Sequence, residues 1–160
     1  MLRALRLASV AVAALGSCIA AYLVYVHYFG IEPYCVVDLS SVGNGIVNSC
    51  QQVQSSSYAK LWGLPVAVIG LGGYLSILAT VAWRPAAESE RGLLLCLLLS
   101  GIGFTSSMYL TYIELHVLRA LCVWCVASAV LMTALFLLAN ARWFATPLTG
   151  TQAAMRIPER

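Results

Sequence analysis

Residues 120–141 read ALCVWCVASAVLMTALFLLANA. No charged side chain interrupts this run, and its length matches the roughly 20 helical residues needed to cross a hydrocarbon core about 30 Å thick. Three further segments of the same kind lie at about 7–29, 62–83 and 93–115. The chain has 160 residues, of which 61% are hydrophobic and only 9% charged, a balance that excludes a soluble globular domain. Only helices or closed barrels satisfy their backbone at membrane depth, and uninterrupted apolar runs are not the alternating pattern of a barrel. The expected fold is therefore an all-α integral membrane protein, a four-transmembrane-helix bundle forming a single domain over 1–160. A long connection of about 30–61 joins the first two helices, and the tail covers about 142–160.

The basic residues orient this bundle. Arg3 and Arg6 precede the first span, Arg84 and Arg91 separate the second from the third, and Arg142, Arg156 and Arg160 follow the fourth, leaving Lys60 and Arg119 for the opposite face. Positive charge accumulates on the cytoplasmic side, so both termini are expected there, with the 30–61 loop and Cys122 on the extracytoplasmic face. In a bacterium this is the inner membrane and its oxidising side, periplasmic or extracellular. The net charge of +3 follows from this topology and implies no nucleic-acid partner, only membrane lipid. Leu15-Gly16-Ser17-Cys18 loosely matches a lipoprotein cleavage box. The apolar run continues to Val26, past a signal core of about 7–15 residues, so the segment reads as a retained span with Cys18, like Cys96, packed in the core.

The connections differ in character. Arg84 to Arg91 holds a proline and mixed charge, as a plain turn does. Glu114 to Arg119 leaves space only for a tight turn. The loop from Gly30 to Leu61 carries Cys35 and Cys50, a turn signal at Gly43-Asn44-Gly45 and a polar stretch from Cys50 to Tyr58 that reads as a short interfacial helix. Within the spans, Gly70, Gly72 and Gly73 and the set from Ser100 to Ser107 have two readings. They allow close helix packing, or they leave space between helices for a flat ring.

Cys122 and Cys125 stand three apart, on one face of a helix start, and can close a disulfide across the first turn. Unpaired backbone N–H groups at a helix N-terminus favour a thiolate. This arrangement suits thiol–disulfide exchange, but it also suits an inert structural disulfide or half of a zinc site. A four-thiolate site from Cys35, Cys50, Cys122 and Cys125 has the right ligand type, although Cys35 and Cys50 do not form a second Cys-x-x-Cys. His27 and His116 read as solvated or hydrogen-bonded side chains, and no metal site is expected. The chain contains no haem, flavin, nicotinamide or iron–sulfur motif. Electrons leaving the thiols inside a membrane therefore need a lipid-soluble acceptor, for which a quinone, ubiquinone or menaquinone, is suited.

The segment Tyr109 to Cys125, YLTYIELHVLRALCVWC, together with Cys50 to Pro65, CQQVQSSSYAKLWGLP, closely resembles bacterial members of the vitamin K epoxide reductase family. The resemblance implies a four-helix bundle around a quinone and a thiol:quinone oxidoreductase that supports disulfide formation in exported proteins. By the same resemblance Cys125 contacts the quinone and Cys122 exchanges with Cys50. The pair Cys35 and Cys50 takes electrons from a thioredoxin-fold, DsbA-like partner, and Ser56 is the loop serine near the active cysteines. The loop cysteines stand further apart here than is usual in the family. The asparagine and tyrosine with which vertebrate members hydrogen-bond a naphthoquinone fall at Ala59 and Ala129, two pocket-lining positions, so plain quinone reduction is expected in place of epoxide reduction. Many bacterial relatives are fused to a thioredoxin-like domain. This chain stops at Arg160, and a separate partner protein is expected. Two other readings compete, a structural tetraspan protein with a disulfide-stapled loop and a zinc-binding membrane protein with four thiolate ligands.

Overall fold

Between Leu7 and Phe29 no residue bears a fixed charge and none is a proline, so nothing interrupts the backbone ladder of helix α1, Leu2–Phe29. The helix stops where Gly30 adopts a positive φ of 62°. The N–H of Ile31 then returns to the Val26 carbonyl at 3.2 Å, the hydrogen bond of a glycine-terminated helix end. The computed structural model describes residues 2–31, 47–48, 50, 53, 56, 59–61, 63–83 and 89–146. Cys35, the glycine turn at 43–45 and most of the polar stretch 50–58 lie outside these residues.

Three more helices follow: α2 over Val66–Ala82, α3 over Glu90–Ile113 and α4 over Val123–Ala145. Among the described residues, α1, α4 and α3 with its continuation to Leu118 are long and apolar enough to cross a membrane. Helix α2 is apolar but has 17 residues, about 26 Å at 1.5 Å per residue. It starts four residues later than the hydropathy pattern implies because the chain first makes a small hairpin. Strand β2, Lys60–Leu61, pairs antiparallel with β3, Leu64–Pro65, around Gly63 at φ 84°. Pro65, which has no N–H to donate, then occupies the N-cap of α2, a position where that donor would have no partner inside the helix.

The helices pack in the ring α1–α2–α3–α4, with α4 closing against α1. The core between them contains Ala13, Ala20, Tyr74, Ile77, Met132 and Leu135. Gly16 is required for this packing, since a Cβ there would collide with the ring of Tyr74. At Gly103 a Cβ would come within 2.7 Å of Met132 Sδ. By contrast Gly70, Gly72 and Gly73 have open space where a Cβ would stand, and of these Gly70 and Gly73 line the space between the helices. Cys18 is exposed on the outer side of α1. The core line through Ala13, Gly16, Ser17 and Ala20 points elsewhere, which corrects the expected burial of that thiol. Cys96 is buried in the core, as expected.

The start of α1, the end of α2 and the start of α3 carry polar side-chain ties. Arg6 of α1 donates from Nε to the Val81 carbonyl at 3.0 Å and from Nη2 to the Ala82 carbonyl at 2.9 Å, placing a cation on the unpaired carbonyls that end α2. Ser89 caps α3 by accepting from the Gly92 N–H at 3.1 Å. At its other end α3 widens into a π turn, Glu114–Leu118, which closes on Arg119 in the left-handed region at φ 48°. The tight turn expected from Glu114 to Arg119 takes this form.

Candidate active site

The π turn and Arg119 reverse the chain into strand β4, Ala120–Leu121. This strand pairs in parallel with β1, Val47–Asn48, in the register Val47 to Ala120 and Asn48 to Leu121. The pairing lays Val47–Asn48 beside the residues that lead into α4; Cys122 follows β4 directly, and Cys50 stands two residues after β1. Helix α4 consequently starts at Val123, with Cys122 as its N-cap in extended backbone at φ −100° and ψ 110°.

Cys50 and Cys122 are 1% and 0% exposed and share one buried cluster with Val53, against which Leu118, Trp124 and Cys125 pack. The Trp124 ring in turn lies 4.9 Å from that of Tyr22 on α1. Cys50 is disulfide-bonded, whereas Cys122 and Cys125 are free thiols. A disulfide sulfur is not a thiolate ligand, so in this state the four-thiolate arrangement has lost one donor. Among the described residues no group of three or more His, Cys, Asp or Glu is placed to hold a metal ion. His116 is stacked on Tyr112 at 4.5 Å, with its Nδ1 3.3 Å from the Tyr112 carbonyl.

The two helix cysteines have different surroundings. Cys122 Sγ accepts the N–H of Cys125 at 3.4 Å. Its thiol titrates below the ordinary thiol range, chiefly because the Cys125 thiol donates a hydrogen bond to its sulfur. The backbone N–H groups of Cys125 and Trp124 act in the same sense, while burial and the charge of Glu114 oppose it. Hydrogen bonds to the charged form stabilise that form, and at Cys122 they come from the open N-terminus of a helix. Cys125, one turn further in, packs against the cluster that holds Cys122 and also lines a cavity of about 460 Å³ between the helices, which Cys122 does not.

That cavity has mostly apolar walls, with Leu99, Ile102 and Met132 among them, and Gly70 and Gly73 leave its α2 side open. Its polar lining includes Cys125, Glu114, His27 and Ser56. Ala59 and Ala129 also line it, and Ser56 is held by its Oγ donating to the Val53 carbonyl at 2.7 Å. Tyr74 forms part of the wall, fixed by its hydroxyl donating to the Ser128 carbonyl at 2.7 Å. Ile69 of α2 and Ile102 of α3 are lining residues that are also 45% and 66% exposed, so the cavity reaches the outer face between those helices. A small, flat, largely apolar ligand with polar edge groups fits a cavity of this size and lining.

Sequence reasoning missed one member of the site. Glu114 is 4% exposed, lines the cavity, and accepts the Cys122 N–H at Oε2 over 3.2 Å. Its carboxylate also neighbours the Cys125 thiol, which lines the same cavity. The available signal was a carboxylate inside an apolar segment one short turn before the cysteine pair, since an ionisable residue in a membrane segment is expensive and usually functional. The family model described as the vitamin K epoxide reductase family matches residues 7–140 of the chain. The match covers most of the 160 residues, with α2 and α3 whole and most of α1 and α4. The chain belongs to that family, and the membership implies a membrane oxidoreductase that uses a quinone as electron acceptor.

Proposed function

From membership of the vitamin K epoxide reductase family, we propose that the chain is a thiol:quinone oxidoreductase that draws electrons from a thioredoxin-fold, DsbA-like partner and supports disulfide formation in exported proteins. The reading rests above all on one observation: Cys122 shares a buried cluster with the disulfide-bonded Cys50, while Cys125 opens onto the cavity. One thiol of the pair thus faces the loop and the other faces the acceptor site. In this reading the second loop cysteine is Cys35, α2 is the fourth membrane span, both termini are cytoplasmic, and residues 1–160 form one redox domain.

Turnover then runs through three exchanges. The partner's dithiol reduces the loop disulfide and is itself oxidised. Cys50 as thiolate attacks Cys122 Sγ of a Cys122–Cys125 disulfide, and Cys125 leaves as a thiolate. The second loop thiol attacks Cys50, re-forming the loop disulfide and freeing Cys122. No net oxidation occurs in these steps, because one S–S bond forms for each one broken. They end with Cys50 in a disulfide and both helix cysteines as thiols, the state of the structure. Bound in the cavity, ubiquinone or menaquinone supplies a two-electron, two-proton acceptor. The depressed titration of Cys122 holds this sulfur as the nucleophile that re-forms its bond with Cys125.

Quinone reduction by the purified, detergent-solubilised protein with a reduced DsbA-type partner tests the reading. Wild type is expected to turn over and Cys125→Ala is not. Equal rates in both proteins, or no reduction in either, would sink it and leave the tetraspan with a stapled loop.

A further inference from the structure

Glu114 is a buried ionisable group at the site that the thiol relay leaves without a task. It begins the π turn at the end of α3, a wider turn than the α-helical one and a feature often found at functional sites. The turn and the left-handed Arg119 bring its carboxylate back over the start of α4. Two contacts define its place. Oε2 accepts the Cys122 N–H at 3.2 Å, and the carboxylate stands next to the Cys125 thiol on the wall of the same cavity. The first anchors the carboxylate at the helix start, and the second touches an atom that reacts. The same side chain also lines the cavity, so it borders the thiol on one side and the acceptor site on the other.

On the basis of the thiol:quinone reading, we propose that Glu114 is a catalytic proton acceptor. Its carboxylate takes the Cys125 S–H proton as the Cys122–Cys125 disulfide closes and passes it into the cavity it lines. The balance is complete. Closing the disulfide forms one S–S bond and removes two electrons and two protons from the pair. The electrons go to the quinone that this reading supplies. One proton leaves Cys125 through Glu114, and the other, from Cys122, is released to water before closure. The quinone takes up two in becoming a hydroquinone. The thiol of Cys125 has two acceptors within reach, the Cys122 sulfur and the Glu114 carboxylate, and a single S–H serves one at a time. Once Cys122 commits its lone pair to the new S–S bond, the carboxylate is the acceptor that remains. Among the described residues, the other titratable side chains lining the cavity are His27 from α1 and Tyr74 from α2.

The test separates proton transfer from quinone chemistry by driving closure with diamide, a dithiol oxidant that needs no quinone. Glu114→Gln retains an amide oxygen for the Cys122 N–H but does not accept the proton. Glu114→Asp restores a carboxylate. At pH 7 the rate of Cys122–Cys125 closure in Glu114→Gln is expected to fall about 100-fold, the lower end of general-base effects. It should recover at alkaline pH, where hydroxide takes over the removal of the thiol proton, and Glu114→Asp should regain part of the rate. A Glu114→Gln profile that superimposes on wild type would overturn the proposal, even if quinone reduction by wild type is normal. Should Glu114→Gln not fold, wild type decides alone. Time-resolved infrared spectra taken during diamide oxidation of isotope-edited protein, with glutamate carboxyls labelled, are expected to show one buried carboxyl protonate transiently as the disulfide closes, and absence of that transient would refute the role.

Discussion

Gly16→Ala is the substitution whose cost the structure defines most sharply. The ring of Tyr74 occupies the space that the added methyl would need. It has little freedom to retreat, since Tyr74 is 1% exposed and its hydroxyl is tied to the Ser128 carbonyl at 2.7 Å. Relief therefore requires α1 and α2 to separate or the Tyr74 bond to break. Overpacking of this kind costs about 1–3 kcal/mol. Replacing glycine by alanine inside a helix returns up to about 1 kcal/mol, so an internal control is needed. Gly72→Ala supplies one, being the same chemical change in α2 with no atom within 4 Å of the new methyl. The difference between the two variants isolates the clash at about 1–3 kcal/mol. For a chain of this size that corresponds to roughly 2–12 °C in melting temperature, read by thermal denaturation of the detergent-solubilised protein. Tyr74 also forms cavity wall, so Gly16→Ala should weaken quinone binding as well. If Gly16→Ala melts no lower than Gly72→Ala, the packing of Tyr74 between α1 and α4 is wrong.

Three further outcomes are expected. Thiolate absorbance of the reduced protein, compared with Cys122→Ala, should place the Cys122 titration below the ordinary thiol value of about 8.5. The sign follows from the depression: the folded state favours the thiolate, and that contribution is lost as pH falls through the lowered pKa. In Cys125→Ala the titration should move back up, because the leading cause is the Cys125 thiol. Gly70→Leu puts a side chain into open cavity space and should raise the KM for quinone at least about tenfold, equivalent to 1.4 kcal/mol. Exchange between the partner and the loop disulfide should keep its rate in that variant, and equal loss of both activities would refute the placement. Arg6→Ala removes two hydrogen bonds from the end of α2 and should lower stability by about 0.5–2 kcal/mol, seen as a lower melting temperature with quinone turnover per folded molecule unchanged.

Hydropathy alone determined that the chain enters a membrane as helices, because an apolar run leaves its backbone no other way to satisfy hydrogen bonds there. The Cys-x-x-Cys at the start of the last run was likewise legible, since three-residue spacing at a helix start is a local property. The places where sequence reasoning failed depend on partners remote in the chain. The late start of α2 follows from a hairpin through Gly63, and the outward position of Cys18 follows from which side of α1 meets Tyr74. The division of labour between Cys122 and Cys125 needs both the parallel pairing of Val47–Asn48 with Ala120–Leu121 and the space above Gly70 and Gly73. Glu114 is the clearest case. Its identity is plain in the sequence, but only a π turn, a left-handed Arg119 and the folded helix start bring its carboxylate to both cysteines. Local periodicity specifies elements; the convergence of Glu114 and the cysteine pair at one helix start is decided by how the elements pack.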